Sequence, residues 1–364
     1  MRQRFRRTAV ESLRAGLLGL LCANLIACDE QSNISRLTAL PISQASGTQM
    51  ADKMDSELSP RLLRRFSAIQ SISGTSDSEL VQLGRMLFFE PLISRTGKIS
   101  CNSCHPLDRF GTTAARFSIG ANGKAGRRNA PTVYNTSGHL GLFWDGRATN
   151  LAQQALGPIT DPAEMGMDTA GLERILSEIP EYRELFGRAF PKDPHPVQAL
   201  NVAQAIAEFE RGLNTPARWD RYLAGDSRAL NAEEKEGAKL FANLGCMVCH
   251  TGAYVGGTMY EKLGVFVPWP NQLDRGRREV THDLADDMVF KVPSLRNVAQ
   301  TAPYFHDGSA ASLDTAVRMM ARHQLGVDLT ESEAKLIAAW LGSLTGEIPR
   351  EYTAVPRLPD AVRP

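Results

Sequence analysis

The sequence predicts a mainly α-helical protein made of two similar units, and three observations lead to this prediction. Apolar residues recur at helical spacing behind helix-capping residues in several segments. No alternating apolar and polar run of strand length competes with them. Motifs of the first half return in the same order in the second half, which indicates a tandem repeat. With 364 residues, the chain is long enough for two domains of ordinary size.

The helical pattern is clearest at three places. Ser76 and Glu79 form a capping-box signal for one helix, and Thr330 and Glu333 form the same signal near the end of the chain. Between them, Pro196 begins a helix with an apolar stripe.

The two halves share three pairs of similar segments in the same order. The pairs are 84–88 with 237–241, Arg128-Asn129 with Arg296-Asn297, and 143–148 with 305–310. A boundary near Gly225 therefore separates an N-terminal domain, 61–225, from a C-terminal domain, 226–346, and a tail, 347–364.

Each half carries one C-x-x-C-H pentapeptide, at residues 101–105 and 246–250. This is the attachment signature of covalent haem c, in which two thiols bond to the porphyrin and the histidine ligates iron. A zinc ribbon, a redox dithiol or a disulfide does not require a histidine after the second cysteine in both copies. The sequence thus predicts two tandem c-type cytochrome domains, each with one covalent haem. The cofactor-binding residues are Cys101, Cys104, His105, Cys246, Cys249 and His250.

The first 27 residues resemble an export signal, because arginines precede a 13-residue apolar run from Ala15 to Ala27. That run is too short to span the hydrocarbon core of a membrane as a helix. The run leads into Cys28, and residues 25–28 resemble a bacterial lipobox, in which the cysteine is acylated. Asp29 resembles an inner-membrane retention signal. Cleavage by ordinary signal peptidase is the alternative, and Cys22 is the weaker lipidation candidate. We expect a periplasmic lipoprotein anchored to the inner membrane.

Residues 28–60 are rich in Ser, Thr, Gln and Ala, which is typical of a tether between a lipid anchor and a folded body. The signal contains five arginines and one glutamate, so its removal leaves a negatively charged chain. We therefore expect no nucleic-acid partner.

A sixth protein ligand makes a haem iron an electron carrier, whereas an open position binds small molecules. In the second unit the candidate is Met320, on a helix that Ser312 would cap, although a core role is the usual one for methionine. Its competitors are Met319, Met288 and Met259.

When the halves are superposed on their Asp-Gly pairs, Pro158 stands in the first unit where Met320 stands in the second. Proline cannot ligate iron, so the first haem is predicted to have an open distal side. Gln154 and Glu164 lie close to this place in the sequence, although a solvated loop is the alternative explanation for them.

Several ordered motifs now identify a family. They are residues 128–133, 143–148, 157–158, 162–167, 295–298 and 301–306. From about Leu80 to Thr345 the chain resembles the bacterial di-haem cytochrome c peroxidases. This family also contains MauG, a di-haem enzyme that matures a tryptophan-derived quinone cofactor in another protein.

The resemblance implies that the haem on His105 is peroxidatic, and that the haem on His250 and Met320 receives electrons. Glu164 and Gln154 match the family's distal catalytic residues.

The resemblance also implies that Trp144 lies between the haems and takes part in catalysis. It further implies a calcium ion held by Asn129 and by the backbone carbonyls of Thr301 and Pro303, and oxygen ligands suit this hard cation.

Other polar residues receive simpler interpretations. Arg128 and Arg296 are expected to pair with haem propionates, which suits a bidentate guanidinium. His306 stands in the place of Trp144 and is expected to hydrogen bond near the second haem. The remaining histidines are expected at the surface or in loops: His139, His195, His282 and His323.

One position departs from the family. Many members have a histidine that ligates the resting peroxidatic iron, and here loop 118–124 has Ala121 at that position. We therefore expect an iron with an open position in every redox state, as in MauG. MauG, however, has a tyrosine where this chain has Met320, and a thioether favours ordinary ferrous and ferric cycling.

The predicted function is reduction of hydrogen peroxide to water, with electrons from a small periplasmic cytochrome c or cupredoxin. Two alternatives stay open: a MauG-like enzyme that oxidises a partner protein, and a di-haem electron carrier without catalysis. Because family members are often dimers, a homodimer is also left open.

Overall fold

A computed structural model describes residues 57–70 and 78–360. These residues are mainly helical, which confirms that part of the fold prediction. The predicted signal 1–27, the lipidation site Cys28 and most of the tether lie outside the described residues. No helix in the described ranges has the length and apolar composition needed to cross a membrane.

The described residues form short helices and one small ribbon. In chain order, helices α1 to α13 span Pro60–Leu63, Glu79–Phe89, Cys101–Cys104, Leu151–Thr160, Thr169–Glu178, Pro180–Ala189, Ala199–Arg211, Arg218–Leu223, Ala232–Asn243, Arg278–Thr281, Leu313–Met320, Glu331–Gly342 and Arg350–Thr353. The 3-10 turns span Pro91–Ile93, Leu107–Arg109, Ser227–Ala229, Cys246–Val248, Leu284–Asp286 and Val298–Gln300, and a π-helical turn spans Ala321–Leu325. Strands β1 (Tyr260–Lys262) and β2 (Val289–Lys291) pair antiparallel.

Local chemistry sets where the helices begin. Thr330 and Glu333 form the predicted capping box of α12. Helix α2 is capped by Ser78, whose hydroxyl accepts a hydrogen bond from the N–H of Val81, and the predicted cap Ser76 lies outside the described residues. Helix α7 begins after Pro196 rather than at it.

The same helix crossing occurs in each half. Helix α2 crosses α7 at Gly84, where an added Cβ would lie 1.9 Å from the carbonyl oxygen of Ala205. Helix α9 crosses α12 at Gly237, where an added Cβ would lie 1.9 Å from the carbonyl oxygen of Leu336. Only glycine lets the two backbones approach this closely.

Two large apolar clusters accompany these crossings. The first joins α2 with α4 to α7. The second joins α9 and α12 with α8 and with the segment 57–70, where Phe66 packs edge-on against Trp219 at 5.3 Å. The start of the described chain therefore contacts the second cluster. The division into domains 61–225 and 226–346 stays a prediction.

Thr215 contacts both halves of the molecule. Its Oγ1 accepts hydrogen bonds from Nδ2 of Asn135 and from Nδ2 of Asn297, each at 2.9 Å. Both asparagines have a left-handed backbone, with φ of 57° and 60°. Asn135 and Asn297 thus occupy equivalent places around Thr215.

This equivalence changes the alignment of the repeat. The sequence comparison aligned Asn129 with Asn297, and that alignment is wrong because Asn135 has the same backbone and the same partner as Asn297. Phe143 and Phe305, with φ of 64° and 71°, lie equally far beyond Asn135 and Asn297. In the corrected alignment, Asn129 corresponds to a residue of β2.

That residue is Lys291, and the two positions make reciprocal contacts between the halves. The backbone N–H of Asn129 donates to the carbonyl of His306 at 2.7 Å, and the N–H of Lys291 donates to the carbonyl of Trp144 at 2.8 Å. Because Trp144 and His306 are themselves equivalent, the contacts follow an approximate two-fold relation between the halves.

Candidate functional site

The first C-x-x-C-H motif folds as α3 followed by His105. The His105 N–H donates to the carbonyl of Cys101 at 2.9 Å. The Nδ1 atom of His105 lies 3.0 Å from the carbonyl oxygen of Gly111, whose left-handed backbone (φ 68°) turns this oxygen toward the ring. A carbonyl can only accept, so Nδ1 carries the proton and Nε2 keeps its lone pair.

The second motif makes the same contacts from a tighter turn. The His250 N–H donates to the carbonyl of Cys246 at 3.0 Å, and Nδ1 lies 3.2 Å from the carbonyl oxygen of Val255. Val255 also has a left-handed backbone, with φ of 51°. His250 therefore presents Nε2 as a potential ligand in the same way as His105.

Burial keeps these side chains in their uncharged forms. It lowers the pKa of His105, and it lowers the pKa of His250 to about 4, so both imidazoles are neutral as metal ligation requires. It raises the pKa of Cys101 and raises that of Cys246 to about 12. The four cysteines of the described residues are free thiols. Each motif thus provides the donor set of a covalently attached haem.

The predicted distal residues lie on α4 and just after it. Asn150 caps α4, Gln154 and Pro158 lie within it, and Glu164 follows its end. Gln154 and Glu164 are half-buried, and neither side chain hydrogen bonds to a residue that the structure describes. Both side chains are therefore available to a bound molecule.

Glu164 lies within electrostatic reach of the first motif. Its charge contributes to raising the pKa of Cys101 and of Cys104. Burial, followed by the neighbouring charge of Asp161, raises the pKa of Glu164 itself, while Arg147 opposes this shift. A carboxylate with a raised pKa beside the cysteine motif is suited to take up and release a proton.

Loop 118–124, which lacks the family histidine, lies against the segment that carries Glu164. The backbone N–H of Ala121 donates to the carbonyl of Glu164 at 2.6 Å. An added Cβ on Gly120 would lie 1.9 Å from the carbonyl oxygen of Ala163, so the two chains are in close contact. The loop therefore places a methyl group, and no ligand, beside Glu164.

Met320 is the last residue of α11 and precedes the π-helical turn Ala321–Leu325. Such turns are rare and occur frequently at functional sites. Met319 and Met288 pack in an aromatic cluster, whereas Met320 and Met259 are half-buried outside the apolar clusters of the described chain. Two of the three competitors therefore have a packing role, and Met320 is free to act as a ligand.

Trp144 lies at the contact between the halves. Its Nε1 donates to the carbonyl of Asn129 at 2.8 Å, and its ring centre lies 6.3 Å from that of His306. His306 is 2% exposed and stacks on Phe290 at 4.4 Å, and its buried Nε2 has no partner among the described residues. An aromatic bridge thus joins the two units.

Of the three predicted calcium ligands, Asn129 donates its backbone N–H to the carbonyl of His306, in the segment that carries Thr301 and Pro303. Asn129 Nδ2 donates to the carbonyls of Ala115 and Arg116 at 3.3 and 3.2 Å, which leaves its Oδ1 free. The carbonyls of Thr301 and Pro303 accept no hydrogen bond from the described residues. Unused amide and carbonyl oxygens fit a calcium ion.

The expected pairing of Arg128 and Arg296 with propionates is wrong, because protein carboxylates pair with both guanidinium groups. Arg128 binds Asp145 at 2.5 Å and Asp274 at 2.6 Å. Arg296, which is 1% exposed, binds both oxygens of Asp220 at 2.6 and 2.8 Å. These pairs stabilise the chain itself.

The histidine predictions hold in part. His195 and His282 are exposed as expected, but His323 is buried and its Nδ1 lies 2.9 Å from a backbone carbonyl. His139 is half-buried, and burial together with Lys291 lowers its pKa to about 3. Lys291 was not predicted from the sequence, and the structure places it at the position equivalent to Asn129.

The chain is similar to known di-haem enzymes. A family model described as di-haem cytochrome c peroxidase matches residues 78–228. Cytochrome c551 peroxidase of Nitrosomonas europaea is 46% identical over 275 residues, which cover 75% of this chain and 82% of that protein. Cytochrome c551 peroxidase of Pseudomonas aeruginosa is 40% identical over 334 residues, which cover 90% and 96%.

A solved structure is also similar. It is the crystal structure of a MauG-like protein associated with microbial copper homeostasis, with a TM-score of 0.69 and 29% identity over 80% of this chain and 96% of that one. The two peroxidases exceed 30% identity over most of their length. This chain therefore belongs to the di-haem cytochrome c peroxidase family, and the predictions of a peroxidase enzyme and of haem cofactors are confirmed.

Proposed function

We propose that the enzyme reduces hydrogen peroxide to water at a haem bound covalently by residues 101–105. A second covalent haem, bound by residues 246–250 and ligated by Met320, receives the electrons. The observation that carries this proposal is the difference between two equivalent helices: α11 ends in Met320, whereas α4 has Pro158 at the matching position. The distal position is therefore open in the first unit alone.

The cysteine thiols and the Nε2 atoms of His105 and His250 would hold the two haems. When bound, haem supplies an iron that binds peroxide and exchanges electrons. The carbonyls of Gly111 and Val255 fix the orientation and tautomer of each ligating imidazole.

Glu164 would move the proton that makes the bond cleavage possible. Its carboxylate takes a proton from the inner oxygen of peroxide and returns it to the outer oxygen, which then leaves as water. Two electrons and two further protons complete the conversion of peroxide to two water molecules. The amide of Gln154 would orient the peroxide. Such proton transfer typically contributes about 10²–10⁴-fold to the rate.

Trp144 would lie on the electron route between the units, because it bridges the segments that carry Asn129 and His306. Asn129, Thr301 and Pro303 would hold calcium at the same contact and keep the two units in register. Ala121 would leave the first haem open without prior reduction.

The electron donor would be a small cytochrome c or cupredoxin of the periplasm. Export of the chain and acylation at Cys28 would anchor the enzyme to the inner membrane. Radioactive palmitate incorporation into the full chain, lost in Cys28→Ala, tests the anchor. Incorporation that persists in this variant would contradict it.

A second candidate is MauG-like oxidation of a partner protein. It is favoured by the similarity to a MauG-like structure and by Ala121, which leaves the site open as in that enzyme group. The predicted thioether ligand of Met320 favours the peroxidase, because it suits a second haem that cycles between the ferrous and ferric states as it passes on electrons. A non-catalytic electron carrier is disfavoured by the peroxidase relatives.

Two measurements on the purified holoenzyme test the proposal. Electron paramagnetic resonance of the resting protein should show one high-spin and one low-spin ferric haem, and ascorbate should remove only the low-spin signal as the His250 haem becomes ferrous. Peroxide should be consumed with two equivalents of reduced cytochrome c. Two low-spin haems in the resting state, or no turnover with any small redox donor, would contradict it.

A further inference from the structure

Lys291 is a buried lysine without a partner. It ends β2 and is 8% exposed, and its side chain makes no hydrogen bond or ion pair with the described residues. Burial lowers its pKa to about 8, and no neighbouring carboxylate opposes this shift. A lysine that is this buried and has no counter-charge costs stability, so a folded protein is expected to supply it with an anion.

The surroundings of Lys291 contain a second orphaned group. The Nε2 atom of His139 is buried without a hydrogen-bond partner in the described part of the chain, and Lys291 contributes to lowering the pKa of this histidine. The two side chains come from different halves. Gly257, where an added Cβ would lie 2.4 Å from the His139 ring, donates its backbone N–H to the carbonyl of Val292, the residue after Lys291. Two neighbouring nitrogen groups without an acceptor indicate a site for a carboxylate.

The segment that carries Lys291 also lies beside His250. A Cβ added to Gly256 would lie 3.2 Å from His250 Nδ1 and 2.1 Å from the carbonyl oxygen of Pro293. Pro293 follows Lys291 by two residues, so the chain that continues from β2 contacts the ligating histidine of the second motif.

The approximate two-fold relation between the halves gives an independent reason to expect a charged ligand at Lys291 and His139. Lys291 is equivalent to Asn129, and His139 is equivalent to Thr301, since each N–H donates to the residue three positions earlier in matching turns. Asn129 and Thr301 are two of the proposed calcium ligands. At one of the two equivalent positions the proposed positive charge is a calcium ion, held by Asn129 and Thr301. At the other position the positive charge is the ammonium group of Lys291.

We propose that Lys291, assisted by His139, binds a propionate carboxylate of the haem on His250. The inference rests on the proposed attachment of that haem. Lys291 would then neutralise the propionate and favour the ferrous state, because a positive charge near the iron stabilises the added electron.

Redox titration of the holoenzyme tests the proposal with a charge-removing variant and a charge-conserving control. In Lys291→Met, the ferrous-to-ferric ratio of the His250 haem at fixed applied potential should fall at least about tenfold, which is 59 mV for one electron. In Lys291→Arg it should stay within about threefold of wild type. The ratio for the His105 haem should change less than that for the His250 haem.

Three results would overturn the proposal: an unchanged ratio in Lys291→Met with two haems per chain, an equal shift in Lys291→Arg, or a shift confined to the His105 haem. Haem content is measured separately, and a chain without haem at His250 would contradict the proposed function itself. Resonance Raman spectra of wild type should show a hydrogen-bonded propionate bending mode. A free-propionate mode would overturn the proposal even if the variants fail to fold.

Discussion

The two halves of this chain share several backbone features and differ in the side chains at matching positions. Each has a helix crossing at a glycine, Gly84 or Gly237, and a histidine held by a backbone carbonyl five or six residues away. The distal helices differ, since α4 has Pro158 where α11 ends in Met320. One ligand position is therefore enough to give the two units different proposed roles on one scaffold.

The contact between the halves also combines equivalent backbone hydrogen bonds with different side chains. Asn129 and Lys291 make equivalent backbone hydrogen bonds to the carbonyls of His306 and Trp144, yet one side chain is a neutral amide and the other a cation. The shared backbone contact preserves the geometry of the interface. The side chains at the same positions are then free to diverge in charge and function.

The largest effect should come from the residue that makes the first unit catalytic. Glu164→Gln should reduce peroxide turnover by at least about 10²-fold, because it removes the proton acceptor without changing size. Steady-state assays with reduced cytochrome c measure the loss, and unchanged haem spectra would show that the site is intact. Turnover within a few-fold of wild type would place the acid–base role elsewhere.

The nearby Asp161 supplies a matched control, since Asp161→Asn removes a charge from the same segment and should leave most activity. The pH profile gives a second test. The pKa of Glu164 is raised, so its carboxylate becomes protonated and inactive at a higher pH than an exposed glutamate. The acidic limb of kcat/KM should lie above the ordinary glutamate range and disappear in Glu164→Gln.

The next effect should come from the ligand that makes the second unit an electron carrier. Met320→His should lower the potential of the His250 haem by on the order of 0.1 V, a part of the roughly 0.8 V that axial ligands span. Donor-driven turnover should slow, while cyanide binding at the other haem stays unchanged. Met319→Leu is the control, and an unaltered titration of Met320→His would point to Met259 or another ligand.

A third substitution should give the haem of the first unit a sixth protein ligand, as proposed for the haem of the second unit. Wild-type ferric enzyme should bind cyanide without prior reduction, because Ala121 and Pro158 offer no ligand. Ala121→His should slow cyanide binding about tenfold or more, since RT ln 10 is only 1.4 kcal/mol and an imidazole ligand must first dissociate. Ala125→His is the control, because Ala125 directly follows the loop and pairs with Ile119 in an isolated antiparallel bridge. Equal binding in wild type and Ala121→His would show that the loop does not reach the iron.

The sequence was sufficient for features that depend on local chemistry. The capping box at Thr330 and Glu333, the mainly helical fold and the family assignment needed only short motifs and their order. The repeat was also visible, but its alignment at Asn129 was wrong because a shared Arg-Asn pair outweighed the equal spacing from Asn135 and Asn297 to the following phenylalanines.

Features that depend on tertiary contacts could not be predicted. Arg128 and Arg296 looked suitable for propionates, but Asp274 and Asp220, distant in sequence, pair with them. Lys291 gave no signal, because a lysine at the end of a short strand is normally exposed. Only the packing of the two halves buries it.

The smallest effect should test whether the shared scaffold is equally important in both halves. Gly84→Ala and Gly237→Ala each force a Cβ to within 1.9 Å of a carbonyl oxygen, so each should lower the free energy of unfolding by about 1–3 kcal/mol through overpacking. Gly187→Ala is the control, because an added Cβ there meets nothing within 4 Å and alanine favours a helix by up to about 1 kcal/mol. Thermal unfolding of the three variants measures the effects. Similar losses of unfolding free energy in Gly84→Ala and Gly237→Ala, with a small gain in Gly187→Ala, would support two equivalent helix crossings. A loss in only one of the two crossing variants would show that the halves depend differently on this backbone contact.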